Sequence, residues 1–281
     1  MSVIQGILLG ILQGVTEFLP VSSSGHLQIA QKLFGLENIP LLFDVFLHLA
    51  TLLAVCLFFW KKIVALLKCL GRWITKKENK NPPDANDILC GTDIAGRRTI
   101  IALIISTVIT GAIGIVTSKL IPEMPVKFVC IGFLITAALL IISKIINSKN
   151  EKTIEKKQEG VSVKQSVLIG FMQGIGTLPG ISRSGSTISG ALFGKLERKA
   201  AGEYSFLVSI PAILGAFILE LKDLGDVSES IGAAPVIAGC ISAFIVGFLA
   251  LAGLMKLIKH GKLAWFAAYL IPAGILGLIF L

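Results

Sequence analysis

The chain has 281 residues, 54% of them hydrophobic and 15% charged. A soluble domain carries about 25% charged residues, so the composition excludes a soluble globular protein and indicates a polytopic membrane protein. The formal net charge of +9 does not point to nucleic acid, because the basic residues fall mainly in short segments between apolar spans, as the positive-inside rule expects.

In chain order, residues 3–19 are apolar but end in the polar turn Pro20-Val21-Ser22-Ser23-Ser24-Gly25. Crossing the hydrocarbon core takes about 20 residues, so this segment is marginal, and a second short helix over about 24–35 follows it directly. No basic region and no small-residue cleavage site precede Gln13, so a removable signal peptide is not expected. Leu41–Trp60 is the first convincing span. Residues 61–98 form a hydrophilic stretch with nine Lys/Arg against four acids, in which part of 61–75 reads as an interfacial amphipathic helix. Thr99–Thr117 and Val126–Ile146 span next, followed by a basic loop over 147–164. Residues 165–178 form a second marginal helix ending at Pro179-Gly180, and a short helix begins near Ser184. Spans over Tyr204–Leu221, Val236–Met255 and Lys262–Leu281 complete the chain, with an acidic loop (Asp223, Asp226, Glu229) after the first and a basic one (Lys256, Lys259, Lys262) after the second. The five cysteines show no CxxC spacing and an odd count, which reads as packed or cytosolic thiols and not as a disulfide frame or metal site.

The two marginal helices are copies. A shift of 160 residues lays Gln173-Gly174-Ile175-Gly176-Thr177-Leu178-Pro179-Gly180-Ile181-Ser182-Arg183-Ser184-Gly185 under Gln13–Gly25 without a gap, and ten of the twenty-four positions from Ser2 to Gly25 are identical. The matches include Gln13/Gln173, Gly14/Gly174, Ser22/Ser182 and Ser24/Ser184, which apolar composition alone does not produce. The differences are informative: Glu17 and His26 in the first copy, Arg183 and Thr187 in the second.

Topology follows from charge. Basic segments at 61–98, 147–164, 195–203 and 256–262 belong on the cytoplasmic side. The segment between 164 and 195 then enters and leaves on one face. The expected fold is an all-α polytopic membrane protein: six transmembrane helices plus two re-entrant hairpins, in inverted-topology repeats forming one integral membrane domain. Repeat 1 covers about 1–146 with its hairpin at about 3–35; repeat 2 covers about 161–281 with its hairpin at about 165–198. The two turns enter from opposite faces and meet near the middle of the bilayer, an arrangement known for broken helices around a central site.

Ionisable groups at that depth are expensive to desolvate and are functional candidates by default. In the second turn, Ser182, Ser184 and Thr187 stand at a helix start, where unpaired amides and hydroxyls make an anion site. Arg183 adds a forked, permanently charged donor suited to phosphate oxygens. No acid lies in its own copy, which favours an anionic ligand over a local salt bridge; an ordinary N-cap is the plainer reading. In the first turn, Glu17 can orient His26, charge-stabilise it, or ligate a divalent cation, and His26 can move a proton near neutral pH. Ser22, Ser23 and Ser24 supply hydroxyls as phosphate ligands or as a nucleophile. Asp44 and His48, four residues apart, share a helix face as a supporting pair or a structural bond. Gln13 and Gln173 read as symmetric helix–helix hydrogen bonds, and Glu220 as interfacial.

The stretch Gln13-Gly14-Val15-Thr16-Glu17-Phe18-Leu19-Pro20-Val21-Ser22-Ser23-Ser24-Gly25-His26, with Pro179-Gly180-Ile181-Ser182-Arg183-Ser184-Gly185-Ser186-Thr187, resembles the two signature motifs of the bacterial undecaprenyl-diphosphate phosphatases, the bacitracin-resistance family. The resemblance runs over essentially the whole chain. It implies hydrolysis of undecaprenyl diphosphate to the monophosphate carrier for cell-wall synthesis, in the bacterial plasma membrane. It also implies functional roles for Glu17, Ser23, His26, Ser182, Arg183 and Thr187. Gln13 stands where the family has Glu or Gln, which counts against any scheme with two carboxylates on one metal. The family is stimulated by Mg²⁺ or Ca²⁺, and no dedicated metal cage is visible, so the ion is expected to arrive with the diphosphate. The expected roles are Arg183 with Ser182, Ser184 and Thr187 as phosphate clamp, Ser23 as nucleophile, His26 as base then acid, and Glu17 holding His26 or the cation. Direct water attack and a His26 nucleophile stay open, as does a polyprenyl-phosphate transporter or flippase. The prenyl tail is expected in apolar grooves between spans. The resemblance places the site toward the outer face; oligomeric state is left open, a homodimer included.

Overall fold

The computed structural model describes residues 1–36, 39, 41–77, 86–120, 125–150, 158–220 and 232–280. The expected acidic loop around Asp223, Asp226 and Glu229 and the Pro82-Pro83 break lie outside the described residues, as does the side chain of Glu220. The described chain is helical throughout: α1 (Val3–Phe18), α2 (Ser23–Leu33), α3 (Leu41–Phe58), α4 (Trp60–Ile74), α5 (Asp93–Leu120), α6 (Val126–Asn150), α7 (Val163–Ile175), α8 (Arg183–Phe193), α9 (Arg198–Glu220), α10 (Ala233–Lys259), a 3₁₀ turn Leu263–Phe266 and α11 (Ala267–Phe280).

The two marginal helices start by the same device. Ser2 caps α1 by accepting from the Gln5 amide at 3.2 Å, and Gln5 Oε1 accepts from the Ser2 amide at 2.8 Å. Ser162 and Gln165 repeat this capping box at α7, at 3.3 and 2.9 Å. Such reciprocal bonds satisfy two amides that the first helical turn leaves without partners. The correspondence continues past the identical residues: adding 160 to the bounds of α2 gives those of α8, and adding it to α3 gives 201–218, inside α9. Three successive helices therefore share one register in the two halves of the chain.

The halves interlock. α1 packs along α10, and α7 along α5, so each copy's first helix lies against a long helix of the other half. Small residues make that approach possible. A Cβ on Gly6, Gly10 or Gly14 would lie 2.4, 2.1 and 2.8 Å from the Pro235, Gly239 and Ala243 carbonyl oxygens, so a side chain there would push the helices apart, as expected of small-xxx-small membrane interfaces. Between the halves sits a core that includes Phe18, Phe59, Phe133, Phe206, Ile188 and Leu254.

Among the described residues five helices (α5, α6, α9, α10 and the last segment) are long and apolar enough to cross a membrane, or six if α3 and α4, bent by 75°, count as one span. The reason is length: the 18 residues of α3 rise about 27 Å, just short of the roughly 30 Å hydrocarbon core. The helix expected in 61–75 is present as α4. Its Trp60, Leu67, Trp73 and Ile74 are exposed while Leu66 and Cys69 are buried. It is pinned by Arg72, which donates to Asp93 at 2.6 and 3.1 Å, and by Lys62, which bridges Asp87 and Glu203.

Candidate active site

α1 ends at Phe18 because Pro20 follows, and Pro cannot continue an i→i−4 ladder. The chain then reverses through Ser22, which adopts φ 72° and ψ 97°, a conformation that costs a non-glycine residue of order 1–3 kcal/mol. The Ser22 carbonyl holds the reversal: it accepts from the His26 amide at 3.3 Å and from His26 Nδ1 at 2.7 Å. Ser23 thereby becomes the first residue of α2 and stands over the last turn of α1. In the second copy, Gly180 (φ 87°) supplies the reversal. Ser182 caps α8 through its Oγ, which accepts from the Gly185 amide at 3.1 Å, and its own amide donates to Thr136 Oγ1 at 3.0 Å. Arg183 opens α8.

The two reversals meet. Glu17 Oε1 pairs with Arg183 Nη2, 166 positions away in the sequence. Glu17 Oε2 accepts from Ser23 Oγ at 2.6 Å and from Gln13 Nε2 at 3.0 Å. His48 Nε2, from α3, lies 3.4 Å from the same oxygen. Ser184 Oγ reaches the Leu19 carbonyl at 3.5 Å. The Glu17 side chain is 3% exposed and Arg183 20%. A carboxylate so buried requires a paired cation, since desolvating it alone costs several kcal/mol. On sequence, Arg183 favours an anionic ligand over a local salt bridge; its own copy indeed has no acid, but the other copy provides one. One donor is still spare. Arg183 Nη1 is buried without a partner among the described residues, as are Gln13 Oε1 and Ser186 Oγ. Buried polar atoms are nearly always bonded, and an unpartnered guanidinium N–H in a cluster of hydroxyls suits an anion.

His26 departs from expectation. Its Nε2 bonds the Tyr269 hydroxyl at 2.7 Å, and its ring lies against Phe133 and Tyr269. It contacts neither Glu17 nor Ser23, because its Nδ1 is committed to the Ser22 carbonyl and the ring is turned toward α6 and α11. The imidazole beside Glu17 is instead His48. Helical spacing placed Asp44 and His48 on one face, and the structure joins His48 Nδ1 to the Asp44 main-chain carbonyl at 2.7 Å, while the Asp44 carboxylate accepts from Gln31 at 2.7 Å. The two glutamines are not symmetric either. Gln13 serves Glu17 within α1, whereas Gln173 donates across to Thr110 on α5 at 3.0 Å, since position 177 in the second copy is threonine and offers no carboxylate.

The remaining candidates divide. Ser22 Oγ and Ser24 Oγ are 3.4 Å apart, with Ser24 exposed. Ser182 and Ser184 hydroxyls are 3.2 Å apart at the start of α8. Thr187 is turned away toward α9: it bonds the Arg183 carbonyl at 2.9 Å and the Ser205 hydroxyl, and is 1% exposed. Among the described residues no three His, Cys, Asp or Glu side chains group as metal ligands, and both Glu17 oxygens already have partners. The donor set fits one carboxylate ligand to an ion held chiefly by something else.

What these groups can do follows from their types. A hydroxyl donating to a carboxylate is poised to lose its proton and attack. An arginine fork beside a helix N-terminus stabilises charge on a transferring phosphoryl group.

The sequence matches a protein-family model described as bacitracin resistance protein BacA over residues 6–276. It is 46% identical to an undecaprenyl-diphosphatase of Treponema denticola, covering 98% of this chain and 96% of the relative. It is 37% identical to an undecaprenyl-diphosphatase of Desulforapulum autotrophicum and 38% identical to one of Methanosphaera stadtmanae, in each case over 99% of this chain and 98% of the relative.

Proposed function

We infer that this chain, which belongs to the bacitracin resistance protein BacA family, is an undecaprenyl-diphosphate phosphatase. It hydrolyses undecaprenyl diphosphate to undecaprenyl phosphate and inorganic phosphate, returning the lipid carrier to peptidoglycan synthesis and conferring bacitracin resistance. The observation that carries the reading is the contact of Glu17, Ser23 and Arg183, which brings a base, a hydroxyl and a phosphate-binding fork to one point from the two halves of the chain.

In the reaction the terminal phosphoryl group displaces Glu17 from part of the Arg183 fork and takes the spare Nη1 donor. Ser182, Ser184 and the first amides of α8 add donors. Glu17 accepts the Ser23 proton, and Ser23 Oγ attacks the terminal phosphorus in line with the bridging oxygen. The anhydride P–O bond breaks and undecaprenyl phosphate leaves. Water then cleaves the phosphoserine and restores the hydroxyl. Positioning and charge do most of this work, since phosphoryl transfer asks little covalent help of a protein. In this geometry Glu17, not His26, is the base; His26 holds the turn that presents Ser23. A divalent cation arriving with the diphosphate would supply further charge neutralisation, and Glu17 is the carboxylate that would hold it; Mg²⁺ commonly binds through substrate phosphates. Chelation with EDTA should lower turnover at least tenfold, and added Mg²⁺ or Ca²⁺ should restore it.

The hairpins α1–α2 and α7–α8 are read as re-entrant and the halves as inverted repeats in the plasma membrane. The shared register, the matched capping boxes and the basic segments at 61–77 and 256–262 support this. The prenyl tail lies in apolar grooves between spans, one of which, about 650 Å³ in volume, runs from Thr177–Pro179 along Gly111, Gly114 and Gly215.

The test is phosphate release from undecaprenyl diphosphate by purified protein in detergent, with a phosphoenzyme trapped and mapped. Arg183→Ala should lower release by about 10³-fold or more, the range of a lost phosphoryl-clamping arginine. A fold that only translocates the lipid releases none, and label absent from Ser23 would remove the covalent step in favour of water attack.

A further inference from the structure

From the geometry around Glu17 we propose that His48 is a positioning residue of the phosphatase, acting through Glu17 Oε2 on the Ser23 hydroxyl. The inference rests on the phosphatase reading above and goes beyond it in adding a residue that neither signature motif contains.

The two oxygens of Glu17 have different neighbours. Oε1 faces Arg183, while Oε2 meets Ser23, Gln13 and His48. The oxygen that receives the Ser23 hydroxyl at 2.6 Å is the one His48 approaches. The imidazole is not free to turn. Nδ1 lies 2.7 Å from the Asp44 carbonyl, which only accepts, so Nδ1 carries a proton and the ring plane is set. The helical turn bearing that carbonyl is itself fixed by Gln31 of α2, which donates to Asp44 Oδ1 at 2.7 Å. The chain Gln31–Asp44–His48 thus links the end of α2 to the carboxylate that its first residue, Ser23, bonds.

The remaining nitrogen, Nε2, lies 3.4 Å from Glu17 Oε2, so it faces the oxygen that Ser23 bonds. Contacts of this length in a ligand-free site commonly shorten when substrate binds. The contact matters when phosphate takes over Arg183: Oε1 then loses its partner, and Gln13 and His48 are what keep Oε2 directed at Ser23. The arrangement belongs to one half only. Under the 160-residue register Glu17, Asp44 and His48 correspond to Thr177, Tyr204 and Val208, so the second copy has the same helices without the relay. His48 is also the more open of the pair, with its side chain 28% exposed against 3% for Glu17. A purely structural histidine would be expected to be as closed as its partner.

The experiment compares His48→Leu and His48→Gln with the wild type in purified protein, measuring kcat and KM for undecaprenyl diphosphate and the thermal midpoint in detergent. Glutamine can still donate to Oε2; leucine cannot. Loss of a positioning partner typically costs about 10- to 100-fold. The expected result is kcat lowered by about that factor in His48→Leu, KM within about twofold, and recovery of most of kcat in His48→Gln, with thermal midpoints alike. The proposal is overturned if His48→Leu keeps the wild-type kcat, if it raises KM alone, or if glutamine is no better than leucine. Should the wild type itself release no phosphate, it is the phosphatase reading that fails, which separates the two.

Discussion

Arg183 is the residue whose replacement is most diagnostic. Its Nη2 faces Glu17 while Nη1 is spare, so one rigid fork offers an incoming anion a free donor beside the base. Lysine keeps the charge but offers a point donor that cannot do both. Arg183→Lys should therefore recover little, leaving kcat/KM about 10²-fold below wild type, the cost of one preorganised donor; a phosphate-release assay across substrate concentrations checks it. The sequence aligned the turns that carry Glu17 and Arg183 through a repeat, but it did not pair them; the structure does. The sequence paired Glu17 with His26, whereas the structure sets His48 beside that carboxylate. His26 is closer in the chain, but its ring orientation depends on Tyr269 and the Ser22 carbonyl, and no local pattern encodes either contact.

At the level of elements, the glycines separate into two kinds. Gly6, Gly10 and Gly14 let α1 lie on α10, and a Cβ at Gly10 would meet the Gly239 carbonyl oxygen at 2.1 Å. A Cβ at Gly111 on α5 would meet nothing within 4 Å among the described residues. Gly10→Leu should destabilise the protein by about 3 kcal/mol or more through overpacking, whereas Gly111→Ala should leave stability unchanged or raise it by up to about 1 kcal/mol, the helix-propensity difference. Thermal unfolding in detergent distinguishes them, and equal effects would contradict the α1–α10 approach. A second element-level feature is the tether of the 86–92 segment. Burial pushes the Asp87 carboxyl up, but Lys62, together with the Leu89 and Cys90 amides, pulls it further down, to a position below the ordinary carboxylate range. A group depressed in the folded state stabilises fully above its unfolded pKa of about 3.9 and loses that contribution as pH falls through the folded value. Asp87→Asn should therefore lower the thermal midpoint at pH 7, and the gap from wild type should close as pH drops below about 4.

For the whole molecule, the interlocking of halves is what creates the site. Neither half contains both Glu17 and Arg183, and α1 packs on α10 while α7 packs on α5. Inverted insertion predicts that the loop after α2 and the end of α4 lie on opposite membrane faces. Single cysteines at Gly35 and Lys76, in a background lacking the native cysteines, should be labelled by an impermeant thiol reagent from opposite sides of sealed vesicles. Labelling of both from one side would end the crossing at α3 that the six-span reading requires.

Periodicity, the 160-residue repeat and the sequence's charge pattern were sufficient to determine an all-helical membrane protein, its two short helix pairs and the polar turns between them. Those features are local: capping residues, helix breakers and apolar stretches act within a few positions of themselves, so they are written where they are used. Tertiary structure decided which side chains touch. It gave Arg183 its acid from the other half, turned His26 toward Tyr269, brought His48 to Glu17, and bent α3 against α4 by 75°. Such contacts depend on how helices far apart in the chain rotate against one another. That rotation is settled by packing small residues and by pairing charges that cannot be left alone in an apolar medium.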